Sequence, residues 1–143
     1  MMNTQTESAI KTKEIPYKNP KATIEDRVAD LLGRMTLEEK VAQMLCIWGE
    51  KNAVLFQGNG VLNYDVLRER YNHGLGQIAR LSDTGGGLSP QKMAESANAI
   101  QKFFVEETRL GIPVIFHEEC LHGLAGRDAT SYPQPIGLAA TFN

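Results

Sequence analysis

From residue 24 to residue 48 the apolar side chains recur every three or four positions. Ile24, Val28, Leu31, Leu32 and Met35 share one helical stripe, and Leu37, Val41, Met44 and Leu45 carry it on to Trp48. That spacing predicts two short helices in tandem. Thr23 is placed to cap the first, with Asp26 three positions on, and Gly33 and Thr36 interrupt the stripe. Thr36-Leu37-Glu38-Glu39 has the form of a capping box, in which the Thr hydroxyl takes the Glu39 N–H and the Glu39 carboxylate reaches back. Both helices are expected to pack into a core and to carry no site. Residues 50–63 are rich in turn formers and predict an irregular loop or hairpin. Asn63 then caps a third short helix that runs through Arg70 and ends by Gly74.

The period changes after Gly74. Residues 76–81 read as a short buried strand that empties into Ser82-Asp83-Thr84-Gly85-Gly86-Gly87, a loop that glycine makes accessible. Ser89-Pro90 starts a helix with a hydroxyl cap and a proline in the first turn. Met93, Ala97, Ile100 and Phe104 hold helical spacing, and Leu110-Gly111 ends it. Residues 112–116 are continuously apolar, as a strand covered on both faces would be. Strand, loop, long helix and strand make one βαβ unit, so the fold class is α/β. Residues 1–20, polar and closed by Pro16 and Pro20, read as a flexible arm ahead of a domain over residues 21–143.

Composition narrows the function classes. The chain has 143 residues, 42% of them apolar, and a net charge of −2 with the signs interspersed. That is one domain's worth of chain with no basic face, which argues against nucleic acid as a partner. No apolar window is long enough to cross a membrane. The polar N-terminus lacks the apolar region of a secretory signal, which predicts a cytoplasmic chain. Two cysteines, Cys46 and Cys120, are too few for a disulfide framework or a Cys-based zinc knuckle.

The chemistry concentrates in residues 116–123, FHEECLHG. A zinc site on a helix needs its histidines four apart, whereas His117 and His122 are five apart. On a helix that would turn the second ring roughly 140° from the first. Gly123 and the preceding strand place the segment on a loop instead, where His117, Glu118 and His122 form an alternative metal set and hydrogen-bonded packing is the simpler role. The spacing of Gly74-Leu75-Gly76-Gln77-Ile78-Ala79 fits a dinucleotide fingerprint, but such a fingerprint must follow a strand and open a helix. Here it precedes the strand, so its glycines are turn residues. In parallel α/β folds ligands sit outside the carboxyl ends of the strands. The triple-glycine loop and HEECLHG both fall at such ends, and Glu118 or Glu119 there suits the vicinal hydroxyls of a polyol.

Three stretches, DLLGRMTLEEKVAQM (30–44), GLGQIARL (74–81) and TRLGIPVIFHEECLHGLAGRDATSYPQPIGLAATFN (108–143), together resemble glycoside hydrolase family 3, in its bacterial β-xylosidase and β-glucosidase branch. The resemblance implies the N-terminal part of a (β/α)8 TIM-type barrel: an opening helical segment and the first βαβ unit, with two of the strands. It implies an exo-acting, retaining hydrolase of terminal β-linked xylose or glucose, needing no cofactor or metal. Its nucleophile Asp and acid/base Glu would lie beyond residue 143, in the remainder of the barrel and a C-terminal domain of the same parent. This chain would then contain no catalytic residue and be inactive alone; a non-catalytic sugar-binding or decayed fragment is the alternative. The family's sugar-gripping carboxylate stands two residues before Leu-His-Gly, which is Glu119. The extra methylene of Glu over Asp narrows the pocket and leans towards xylose. His122 and Gly123 are expected to shape the loop, Arg127 and Asp128 to pair in support of it, and His117 and Glu118 to form the wall or back it.

Overall fold

The computed structural model describes residues 15–57 and 61–143, and the chain divides into two compact units, Met1–Met35 and Thr36–Asn143. In the first, a 3-10 turn at Pro16–Lys18 lies beside helix α1, Ile24–Arg34. Tyr17 N–H donates to Asp30 Oδ2 at 3.1 Å, and Arg27 Nε donates to the Tyr17 carbonyl at 3.0 Å. Thr23 caps α1 as its sequence requires, accepting from Asp26 N–H at 3.1 Å. Residues 1–14, the greater part of the expected arm, lie outside the described residues.

The second unit is α/β. Helices α2 (Leu37–Gln43), α3 (Lys51–Val54), α4 (Tyr64–Arg70), α5 (Pro90–Glu107) and α6 (Pro135–Ala139) accompany strands β1 (Cys46–Ile47), β2 (Gln77–Ala79) and β3 (Ile115–His117). The three strands form a parallel sheet in the order β1-β2-β3, in which Ile47 pairs with Ile78 and Ile78 with Phe116. The expected βαβ unit is therefore β2-α5-β3, and a further strand precedes it. The capping box at Thr36 forms, with Thr36 N–H donating to Glu39 Oε2 at 2.9 Å and Glu39 N–H to Thr36 Oγ1 at 3.2 Å. Asn63 accepts from Val66 N–H at 3.3 Å, and Ser89 from Lys92 N–H at 3.4 Å. Residues 50–63, expected as an irregular loop or hairpin, instead open with the short helix α3, and an antiparallel bridge between Phe56 and Leu62 follows.

Three expectations need correction. The helical stripe does not continue to Trp48: α2 ends at Gln43, and Cys46–Ile47 is the first strand of the sheet. Five consecutive apolar residues, 44–48, mark that change of period. The two N-terminal helices do not bury their stripes either. No residue of α1 is buried, and of α2 only Glu39 and Ala42 are, while Leu37, Val41, Met44 and Leu45 are exposed. Finally, β3 is covered on one face only. Val114 is buried but Ile115 is 63% exposed, because the apolar cluster lies against one side of the sheet.

That cluster gathers Leu55, Leu67, Leu75, Ile78, Ile100, Phe103, Phe104 and Val114. Phe103 meets Phe104 edge-on, with ring centroids 5.2 Å apart. The Gln101 amide joins α5 to the approach to β3, donating to the Val114 carbonyl at 2.7 Å and accepting from its N–H at 3.0 Å. The central strand depends on Gly76. Its N–H donates to the Ala42 carbonyl and its carbonyl accepts from Ile115 N–H, each at 2.9 Å. A Cβ on Gly76 would stand 2.1 Å from the Gln43 carbonyl oxygen, a backbone atom with no rotamer to yield. Gly76→Ala should therefore lower stability by upward of about 2 kcal/mol, measured by denaturant unfolding.

Glu39 carries the second structural dependence. Only 4% exposed, it accepts Arg109 Nε at 2.8 Å and also pairs with Arg109 Nη2, joining α2 to the segment after α5. The Arg109 hydrogen bonds hold the Glu39 carboxyl below its usual range, against burial, which acts to raise it. A depressed folded-state pKa gives stability that is full above the unfolded value, about 4.3, and lost as pH falls through the folded one. The Arg109 side chain is 54% exposed, so solvent weakens the pair. Glu39→Gln should cost about 1–2 kcal/mol at neutral pH. The variant and the parent should converge in acid, a comparison readable from urea melts between pH 7 and pH 3.

Candidate functional site

Parallel strands deliver their loops to one edge, and the candidate site is built there. After Ala79 the chain turns sharply at Arg80, whose φ of 52° is left-handed, into two short 3-10 turns within Leu81–Gly86 that are separated by a kink at Thr84 and Gly85. Arg80 N–H still donates to the His117 carbonyl at 2.8 Å, so the turn starts from a position fixed by β3. Gly85, Gly86 and Gly87 all have positive φ (60°, 85° and 110°) and return the chain to Ser89 and α5. The expectation that this loop needs glycine holds. After β3, residues 118–132 double back. Gly123 has φ of 95° and lies so close to Thr130 that a Cβ would be 2.2 Å from its carbonyl oxygen, and Tyr132 N–H donates to the His122 carbonyl at 2.6 Å.

Glu118 laces the two loops together. Its Oε1 accepts from Ser82 N–H at 2.8 Å, and its Oε2 from Ser82 Oγ at 2.7 Å. Both carboxylate oxygens engage the glycine loop and Glu118 does not border the cleft beside it, so Glu118 backs the site. Above this tether lies an open cleft of about 740 Å³, bordered by Ser82, Asp83, Gly87, His122, Arg127 and Ser131. His122 is half-buried, and its Nδ1 is enclosed without a hydrogen-bond partner.

Of the residues singled out from the sequence, His122 and Arg127 border this cleft and Glu118 supports it. Glu119, His117 and Asp128 are exposed and outside its border. Glu119 contributes its carbonyl to the loop, accepting from Ala125 N–H at 3.0 Å, and leaves its carboxylate to solvent. Arg127 and Asp128 do pair, Nε to Oδ2 at 3.8 Å, with both side chains about two-thirds exposed. A contact so exposed adds little to loop stability. His117, Glu118 and His122 do not converge as a metal set; among the described residues no three His, Cys, Asp or Glu side chains do. Cys46 and Cys120 are both exposed free thiols.

Sequence reasoning missed the charges behind the cleft. Lys51, at the start of α3 and only 1% exposed, reaches Asp83 Oδ1 and donates to the Trp48 carbonyl at 3.2 Å. Arg80 Nε lies 3.3 Å from Asp83 Oδ2, and its guanidinium sits 5.8 Å from the centre of the Trp48 ring. Lys51 and Asp83 are 32 residues apart, and only the pairing of β1 with β2 brings them together. The Ser82–Glu118 pair could have been anticipated once Ala79 was registered against His117.

A parallel α/β unit with a polar, loop-built cleft at the carboxyl edge of its sheet is the form of a ligand-binding enzyme domain. Residues 36–143 match the glycosyl hydrolase family 3 N terminal domain, and the chain belongs to that family. It is 38% identical over 92% of its length to a putative beta-xylosidase of Formosa agariphila. It is 32% identical over 87% of its length to a periplasmic beta-glucosidase/beta-xylosidase of Dickeya chrysanthemi, and 27% identical over 87% to beta-glucosidase C of Emericella nidulans. The chain spans 17% of the first of these relatives and 20% of the other two.

The Ser82–Glu118 tether leads to a prediction. Glu118→Gln keeps the size of the side chain but cannot accept at both oxygens. It should cost about 1–2 kcal/mol and loosen the glycine loop. Hydrogen exchange should show faster exchange at Ser82 N–H and little change at Gly76 N–H.

Proposed function

We propose that this chain is the N-terminal part of the (β/α)8 domain of an exo-acting, retaining β-glycosidase, which releases terminal β-linked xylose or glucose from oligosaccharides. The reading rests on family membership together with one observation: the loops after β2 and β3 are laced by Glu118 into a single polar surface at the carboxyl edge of the sheet. The sequential strand order β1-β2-β3 supports a barrel, since a doubly wound sheet reverses its order at the switch point. In this reading residues 1–20 are an arm and residues 21–143 an incomplete portion of the domain. The rest of the barrel and a C-terminal domain come from the same parent chain.

Retaining hydrolysis needs two carboxyl groups about 5–5.5 Å apart, one to attack the anomeric carbon and one to donate and then remove a proton. We place both outside residues 1–143. Glu119 has a different role, accepting hydrogen bonds from hydroxyls of the terminal sugar that do not react. Its side chain is exposed, and among the described residues its carboxylate has no hydrogen bond or ion pair that would compete with a sugar. Binding energy gained at such remote hydroxyls can offset the distortion of the ring at the reacting carbon.

The test is hydrolysis of 4-nitrophenyl β-xyloside and β-glucoside by the parent protein. The parent should turn over at least one, and Glu119→Ala should reduce kcat/KM about 100-fold, as loss of a charged acceptor implies. The 143 residues alone should give no turnover; activity there would place a catalytic pair inside this chain. A parent that binds xylose or glucose but hydrolyses neither glycoside would establish the non-catalytic sugar-binding alternative.

A further inference from the structure

Three structural costs lie behind one wall of the cleft. Lys51 is a buried ammonium, a group that is expensive to remove from water even when paired. Arg80 is a bulky residue held at a left-handed φ of 52°, and strained backbone of this kind concentrates at working sites. Thr84, 1% exposed, leaves its Oγ1 without a hydrogen-bond partner within the same turn. Lys51 and Arg80 contact Asp83 and Thr84 follows it in the chain; the Asp83 side chain is 35% exposed and borders the cleft. A loop required only to be stable could fill the position of Lys51 with Leu or Met.

We infer that Asp83 is a second substrate-binding carboxylate, accepting a hydrogen bond from a sugar hydroxyl, and that Lys51 and Arg80 are the residues that position it. Lys51 engages Oδ1 and Arg80 approaches Oδ2, from opposite ends of the carboxylate. Each carboxylate oxygen has two acceptor sites, so both retain capacity after these pairings. Lys51 is anchored in turn by the Trp48 carbonyl, and Asn52 Oδ1, one residue on, accepts from Gly85 N–H at 2.9 Å. The segment after β1 therefore fixes the glycine loop at two points on either side of Thr84. Asp83 meets the ligand on a rigid mount.

This inference rests on the glycosidase reading, and the experiment separates the two. Competitive inhibition of aryl glycoside hydrolysis is measured for the parent protein with xylose, glucose and the monodeoxyglucoses. Asp83→Asn should weaken inhibition by glucose or xylose about tenfold or more, yet leave inhibition by one monodeoxy sugar unchanged, the sugar lacking the hydroxyl that Asp83 accepts from. Lys51→Met should reproduce this selective loss, and the double variant should be no worse than Asp83→Asn. Should asparagine not fold, Asp83→Glu keeps the ion pairs but moves the carboxylate by a methylene, and it must show the same selectivity. A uniform loss across all the sugars, or no loss, overturns the role of Asp83 and leaves the glycosidase reading standing. An unsubstituted parent that neither hydrolyses nor binds these sugars overturns both.

Discussion

Close approach of backbone at Gly76 is the constraint on which the second unit depends. The central strand is hydrogen-bonded on both sides from this residue, to Ala42 before β1 and to Ile115 in β3. A side chain there would force β2 away from the chain at Gln43. Because the sheet is parallel, what is settled at Gly76 propagates to the other end of each strand. The register that pairs Ala79 with His117 brings Ser82 within reach of Glu118. The pairing of Ile47 with Ile78 likewise carries Lys51 to Asp83. The cleft is assembled by strand register, and its tethers then hold loops that the register has already aligned.

The two tethers differ in physical character. Glu118 is a partly buried carboxylate that accepts from a neutral hydroxyl and an N–H, and among the described residues it has no ion-pair partner. Lys51 is a full charge enclosed by protein, opposite a carboxylate that keeps contact with solvent. The first arrangement is inexpensive and serves to fasten one loop to another. The second is costly and places charge at a surface a ligand can reach. This difference distinguishes the carboxylate that backs the cleft from the one assigned to binding.

Much of the second unit was legible in the sequence because its signals are local. Caps at Thr36, Asn63 and Ser89 announce helices through side chains that bond within three residues. The glycine turn and the long helix α5 also came from short-range pattern. What escaped reading depends on distance along the chain. Strand β1 is two residues long and borrows its identity from its partner, so an apolar run there could pass for a helix continuing. Glu39 looked like a helix-capping residue and is one, but nothing near it in sequence reveals Arg109, 70 residues away. The apolar stripes of α1 and α2 are legible in the sequence, but most of their residues are exposed. Pattern shows that a face is apolar, and only packing shows what covers it. Within the site, the motif around Glu119 was visible from family resemblance, whereas the Lys51–Asp83 pair belongs to no motif.

Cys120 follows Glu119 directly in the chain, and its thiol is exposed. The loop assigned to sugar recognition therefore carries a natural attachment point for a fluorophore one residue from the carboxylate. With Cys46 replaced by serine, Cys120 is the one thiol left within these 143 residues, at a position where the native side chain is exposed. Occupancy could then be followed as an optical signal, independently of any turnover.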